Sequence, residues 1–220
     1  MIFDGIKGVI FDFDGTLADS LGVWEDIDIK FMAKRGLSVP ENYFEAVSAM
    51  NFSQAADYTI KTLRLSETPE EIMAEWCEMA VEEYSENVAL KPFAKEFVSL
   101  LRKMGIKTAI ATASERELLI PALRNNGAEE LFDAVATTSE VKRGKGFPDV
   151  YDLAAERLGL VPSECAVIED IPAGVTGAKS GGYITVGIYD KRSEKYREEM
   201  KKSADYYVSD FRELSELVKK

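Results

Sequence analysis

Residues 8–17 read Gly-Val-Ile-Phe-Asp-Phe-Asp-Gly-Thr-Leu, an apolar run that stops at two aspartates two positions apart and then a glycine. A short continuous apolar run marks a strand buried on both faces, as in a parallel sheet. Residues two apart on a strand point to the same side. Asp12 and Asp14 are therefore expected together at the carboxyl end of a strand, where open α/β sheets keep their ligands. Two carboxylates this close repel unless a cation or a shared proton relieves them. The pattern points to a hard metal ion with oxygen ligands, and to one carboxyl that keeps its proton.

Composition narrows the chemistry further. The 220 residues suffice for a real core, in one domain or two. No apolar run approaches a membrane span, and the first residues lack the pattern of a signal peptide. Cys77 and Cys165 have neither metal-binding spacing nor a disulfide framework, so a reducing cytoplasm is the expected compartment, with no membrane partner. A net charge of -12 argues against nucleic acid as a partner. The chain has no histidine, which removes Ser-His-Asp and Cys-His catalysis, histidine-ligated zinc and any imidazole acid or base. Carboxylates, lysine, hydroxyls and backbone amides remain.

After the first strand come about seventy residues in which apolar positions recur at helical spacing. Leu21, Trp24, Ile27 and Phe31 share one face of a helix that Gly36 can close. Ser53 is placed to cap a helix through Ala55, Ala56 and Ile60. Thr68-Pro69-Glu70-Glu71 forms a capping box with proline at the first helical position, opening a helix through Ile72, Trp76 and Met79-Ala80. Residues 18–88 carry five Lys or Arg against fifteen Asp or Glu, while the rest of the chain is nearly balanced.

From Lys91-Pro92 the rhythm becomes helix, strand, helix, strand. Helices are expected near 93–104, from Ser114 or Glu115 to Asn125 with an awkward Pro121 inside, and at 148–158, 172–180 and 194–202. Asp210-x-x-Glu213 would cap a last one. Strands are expected at 106–112, 134–137, 165–169, 184–188 and 206–208. Such alternation implies an α/β fold with a parallel sheet covered on both faces. The expected division is an α/β core of residues 1–16 and 91–220, with an inserted all-helical segment, 17–90, and hinges near 16–20 and 86–92.

Four polar features fall at predicted strand ends: Asp12 with Asp14; Thr112; Lys145 in the loop Arg143-Gly-Lys-Gly-Phe-Pro-Asp149; and Glu169-Asp170. Each has an ordinary explanation when taken alone. Thr112 can simply end a strand, Ser114 can form a capping box with Glu117, Lys145 can be a solvated loop lysine, and Glu169-Asp170 can cap the next helix. An EF-hand would need a glutamate at the twelfth loop position, where Val23 stands. It is the joint placement at one crevice that argues for chemistry.

In order and spacing these motifs resemble the haloacid dehalogenase superfamily, in particular the branch containing sugar-phosphate phosphatases and β-phosphoglucomutase. The resemblance covers essentially the whole chain and implies a Rossmann-like core with a helical cap. It implies Asp12 as nucleophile, forming an aspartyl-phosphate, and Asp14 as the acid and then the base. Mg²⁺ would be held by Asp12, the Asp14 backbone carbonyl and Asp170, with Glu169 binding through water or orienting Asp170. Lys145 and Thr112 would hold the phosphoryl oxygens. Thr16, Thr112, Ala113, Ser114, Arg116 and Trp24 are the expected substrate contacts.

Gly146-Phe147 stands where the family usually places proline after the lysine, so a looser loop around Lys145 is expected. The family's dehalogenases lack the second aspartate, so Asp14 favours phosphoryl transfer. Its sugar-phosphate mutases use an early cap histidine, where this chain has Trp24, and basic cap residues. Here the loop Ala49-Met-Asn-Phe-Ser-Gln-Ala55 has no arginine, and Lys61 and Arg64 are the only basic residues from Asp57 to Val88. Water is thus the expected acceptor and a small phosphorylated metabolite the expected substrate. Trp24, Met50 and Phe52 are candidates for an apolar wall, although Trp24 also fits helix core. A monomer is expected. The alternatives are a phosphosugar mutase and a non-catalytic sugar-phosphate-binding regulator.

Overall fold

The computed structural model describes residues 5–47, 50 and 52–219. Six strands form one parallel sheet: β1 (Gly8–Phe11), β2 (Lys107–Thr112), β3 (Ala134–Thr137), β4 (Cys165–Glu169), β5 (Ile184–Ile188) and β6 (Tyr206–Val208), in the order β3-β2-β1-β4-β5-β6. β1 lies between β2 and β4, with Phe11 in register with both Ile110 and Ile168. Strand order reverses at β1, the place where such sheets open a crevice at their carboxyl edge.

Alternation along β1 feeds two cores. Ile10 joins Val150, Tyr151, Ala154 and Val167 on one face. Phe11 meets Phe97, Phe132 and Phe211 on the other, at centroid distances of 6.2, 6.0 and 6.5 Å. Edge-on and tilted aromatic pairs of this kind add to area burial. The helices of this unit are α5 (Ala94–Lys103), α6 (Arg116–Asn125), α7 (Asp149–Leu158), α8 (Pro172–Ser180), α9 (Arg197–Ser203) and α10 (Phe211–Lys219). α7 packs on β1 to β3, α8 on β4 and β5, and α5 against β2 and α10.

The second unit, Gly22–Asn87, holds α1 (Val23–Lys34), α2 (Tyr43–Val47), α3 (Phe52–Leu63) and α4 (Pro69–Glu86). α4 starts at the full capping box of Thr68 and Glu71. α1 and α3 pack on it through Ile27, Phe31, Ala56, Ile72 and Trp76. Arg35 ties the end of α1 to Glu67 and Glu75 at 2.8 and 2.7 Å, and stacks over Phe31. No helix among the described residues is long and apolar enough to cross a membrane.

Several local expectations change. Ser53 lies inside α3 and does not cap it. Trp24 turns away from the buried face of Ile27 and Phe31 and is 40% exposed. Leu21 precedes α1. The expected 194–202 helix is a 3-10 turn, Glu194–Tyr196, followed by α9. α6 runs on through Pro121, the sixth of its ten residues, and forgoes the intrahelical bond to Glu117 O that an N–H there would have made. Residues 17–21 and 88–90 stay with the sheet-bearing unit: Ala18 bridges Leu90, Asp19 N–H donates to Ala89 O at 3.0 Å, and Lys91 N–H donates to Leu17 O at 2.7 Å.

Candidate active site

Asp12 follows β1 directly, its N–H donating to Ile168 O at 3.0 Å, and its carboxyl is buried. Glu169 ends the neighbouring β4 and Asp170 follows it, so the sheet itself brings three carboxyls together. One oxygen from each of Asp12, Glu169 and Asp170 lies within 4.8 Å of the others. Lys145 reaches in from the loop before α7, forming ion pairs with Asp12 Oδ1 and, at 2.7 Å, with Glu169 Oε1. Tyr151 OH also donates to Glu169 Oε1 at 2.7 Å.

The side chain of Lys145 is only 9% exposed and sits in the carboxyl group despite the Gly146-Phe147 departure. The cause lies in α8. A Cβ on Gly177 would sit 1.9 Å from Lys145 O and 2.9 Å from both Phe147 N and O, so the loop backbone rests directly on this glycine. Phe147 N–H closes a turn on Gly144 O at 3.0 Å. Gly174, one turn earlier, does the same for Glu169, whose carboxyl occupies the space of the missing Cβ at 2.3 Å.

Charge is unbalanced here. Burial, opposed by Lys145 and reinforced by Asp14, raises the proton affinity of Asp12. Burial and then the neighbouring Asp12 push Glu169 up to about 8 and Asp170 up to about 7. Burial works against the Lys145 charge, but Asp12 and Glu169 outweigh it and hold the ammonium above its ordinary range. One ammonium thus faces three crowded carboxyls, and the buried Glu169 Oε2 has no hydrogen-bond partner. An all-oxygen donor set with a surplus of negative charge and an orphaned oxygen fits a hard divalent cation.

Asp14 stands apart from that group, accepting hydrogen bonds from Ser20 Oγ at 2.6 Å and Ser114 Oγ at 2.5 Å. This corrects the expected capping role of Ser114. α6 begins at Arg116 with Glu115 at its cap position and no side-chain cap, which frees the Ser114 hydroxyl for the carboxylate. Ser114 N–H donates to Thr112 Oγ1 at 3.0 Å, fixing the turn after β2, and Ala113 is exposed in that turn.

Thr16 is buried and its hydroxyl faces Asp170 Oδ1 at 3.4 Å. Arg116 does not join the group: its guanidinium donates to Val135 O at 2.9 Å, on the β3 side. Trp24 belongs to the helical unit. There it packs edge-on to Phe52 at 5.7 Å and lines a cavity of about 340 Å³ with Met50, Phe52, Tyr43 and Trp76.

Nothing in the sequence pattern marks Tyr151, Ser20 or Ser193 as part of the group, although Tyr151 and Ser193 bond its carboxyls and Ser20 bonds Asp14. Tyr151 sits at helical spacing and reads as core. The two glycines of α8, three residues apart after Glu169-Asp170, were the available signal that something packs closely there.

Residues 6–182 match the model of a family described as haloacid dehalogenase-like hydrolase. Hexitol phosphatase A of Escherichia coli (strain K12) is 33% identical over 186 residues, covering 83% of this chain and 82% of its own length. A phosphorylated carbohydrates phosphatase of Thermotoga maritima is 27% identical over 177 residues, covering 80% of this chain and 82% of its own. The solved structure of a β-phosphoglucomutase-like protein of Thermotoga maritima superposes with a TM-score of 0.84 at 25% identity, covering 97% of this chain and 99% of that one.

Proposed function

Since the chain belongs to the haloacid dehalogenase-like hydrolase family, we propose that it is a Mg²⁺-dependent phosphomonoesterase that hydrolyses a small sugar phosphate through an aspartyl-phosphate on Asp12. The observation that carries this is the buried group of Asp12, Glu169 and Asp170 with Lys145 paired to two of its three carboxyls. The relatives named as sugar-phosphate phosphatases support the substrate class.

Asp12, Asp170 and the Asp14 carbonyl would hold Mg²⁺, which supplies positive charge against the phosphoryl oxygens. Lys145 pairs with Asp12 and opposes the burial that favours its protonated form, and it donates to the transferring group as its charge spreads. A carboxylate oxygen of Asp12 forms the new bond to phosphorus as the ester P–O bond breaks. Asp14 gives its proton to the departing alkoxide oxygen. In the second half Asp14 takes a proton from water, the water oxygen bonds to phosphorus, and the bond to Asp12 breaks to release phosphate. Serine hydroxyls both donate and accept, so Ser20 and Ser114 can partner Asp14 with or without its proton. Glu169, tethered by Tyr151 and Lys145, holds that lysine in place.

Thr112, Thr16, Ala113 and Ser114 are assigned to the phosphoryl side of the substrate. Arg116, committed to Val135 O, is left out. The mutase reading draws on the β-phosphoglucomutase-like neighbour. Formation of glucose 6-phosphate from β-glucose 1-phosphate would favour it over hydrolysis.

The test is Asp12→Asn. Parent protein should release phosphate from sugar monophosphates in MgCl₂, lose that activity in EDTA and regain it with added magnesium. The Asn variant should keep its circular dichroism and thermal transition and lose nearly all turnover. Substantial turnover by the folded variant would remove Asp12 as nucleophile.

A further inference from the structure

Lys91 lies where the chain returns from the helical segment to the sheet-bearing unit, and its side chain is only 13% exposed. Its ammonium donates to Gly15 O and, at 3.3 Å, to Tyr189 O, and forms an ion pair with Asp190 Oδ2 at 2.8 Å. Asp190 is itself buried, with its side chain 5% exposed.

Both acceptor sides lead to Asp170. On one side, Gly15 has φ +82°, and a Cβ there would lie 2.6 Å from Asp170 Oδ2, so the backbone that Lys91 pins packs directly against that oxygen. On the other, Asp190 builds the turn after β5. Its Oδ1 accepts Arg192 N–H at 2.7 Å, and its carbonyl accepts Ser193 N–H at 3.1 Å. That turn delivers Ser193 Oγ to Asp170 Oδ2 at 2.8 Å.

We propose that Lys91, Asp190 and Ser193 are positioning residues that fix the Asp170 carboxylate, and with it the affinity of the carboxylate group for Mg²⁺. Lys91 sets the Gly15 backbone on one side of Asp170, and through Asp190 it sets the Ser193 hydroxyl on the other. None of the three needs to touch substrate. Hydrogen-bond partners one shell behind a metal's ligands orient them, and removing one weakens binding about 10–100-fold. The ion pair sits beside the paired linker residues 17–19 and 89–91, so a single lysine joins the chain's return point to the ligand group.

The proposal rests on the metal-dependent reading above, and the experiment separates the two. Magnesium affinity is measured with MgCl₂ alone, from the rise of the thermal midpoint with concentration and by calorimetric titration, in phosphate-free buffer. Ser193→Ala is the direct variant. Lys91→Met is made together with Asp190→Asn so that neither charge is left buried alone. Lys91→Arg tests rescue. Both the serine variant and the double variant should bind Mg²⁺ at least tenfold more weakly, with unchanged circular dichroism, and Lys91→Arg should recover part of the loss. Parent-like magnesium affinity in folded Ser193→Ala and in the folded double variant would overturn the positioning role. A parent protein whose midpoint ignores MgCl₂ would instead overturn the metal reading itself, and the proposal with it.

Discussion

The Ser114 hydroxyl donates to Asp14 Oδ2 at 2.5 Å, across one hundred residues of sequence. The contact exists because β1 and β2 are neighbours in the sheet, so the turns that follow them meet at the carboxyl edge. It also needs the Ser114 backbone held on Thr112 Oγ1, which uses the last side chain of β2 as an anchor for the turn. A residue that sequence pattern assigns to a helix cap thus serves a carboxylate instead.

Gly177→Ala should separate close packing from chemistry. The three atoms nearest the added Cβ are backbone atoms of Lys145 and Phe147, which cannot swing aside like a side-chain tip. The loop must shift and carry Lys145 off Asp12. Overpacking of this kind costs about 1–3 kcal/mol of stability, and a displacement near 1 Å costs about 10²-fold in rate. Gly144→Ala in the same loop meets nothing within 4 Å and should keep parent activity. Equal kcat/KM for both variants would mean that Gly177 does not set the lysine.

The strands were legible because each is an apolar run closed by a polar residue, and parallel sheets concentrate those ends on one edge. Asp12, Lys145 and Glu169-Asp170 therefore meet in the fold as their positions suggested. Local pattern failed where a distant partner competed for a side chain. Ser114 left its cap for Asp14, and Arg116 turned to the Val135 carbonyl on the β3 edge. It also failed where one helical periodicity fits several phases. Tyr151 reads as core yet sends its hydroxyl to Glu169, and Trp24 turns outward on α1. The placement of the Lys145 loop depended on Gly177 of another helix, a relation that no window around Lys145 contains.

Asp28, half-buried in the helical unit, gives that unit a pH dependence of its own. Burial, with the charge of Glu25 added, pushes its carboxyl up to about 6, against the opposing hydrogen bond from Tyr43. A folded-state value above the unfolded one contributes stability that is full below about 3.8 and is lost as pH rises through about 6. Asp28→Asn removes that loss. The midpoint of the variant minus that of the parent should grow between pH 4 and pH 7, measured in EDTA to keep metal out of the comparison. A flat difference across this range would show that Asp28 ionises freely in the fold.

The charge of the helical unit predicts monophosphates over bisphosphates. Among its basic residues, Lys30 pairs with Glu83, Lys34 with Glu75, and Arg35 with Glu67 and Glu75. Three of the unit's five basic residues are thus paired with glutamates, in a unit whose strongly acidic balance disfavours a second phosphate. At fixed ionic strength, kcat/KM for a hexose monophosphate should exceed that for its bisphosphate by at least about tenfold, a difference of about 1.4 kcal/mol. A strong preference for the bisphosphate would refute this reading.

Asp14→Asn should divide substrates by leaving group. An alkyl sugar phosphate departs as a basic alkoxide and needs a proton, whereas a nitrophenolate departs readily without one. General acid catalysis is worth about 10²–10⁴-fold. Single-turnover measurements of the first step should therefore show a large loss with a sugar phosphate and a much smaller one with nitrophenyl phosphate. The second step needs the same carboxylate as base, so aspartyl-phosphate should accumulate with the aryl ester and be trapped by acid quench. Ser20 and Ser114 can hydrogen-bond an amide in place of the carboxyl, so the turn after β1 should keep its shape. The backbone carbonyl of residue 14 is unchanged, and magnesium affinity should stay close to the parent's. Ser114→Ala, which removes one of those hydroxyls and keeps the carboxyl, should show the same substrate ordering with a smaller loss. Equal first-step losses for sugar and aryl esters in Asp14→Asn, at unchanged magnesium affinity, would rule out the acid role.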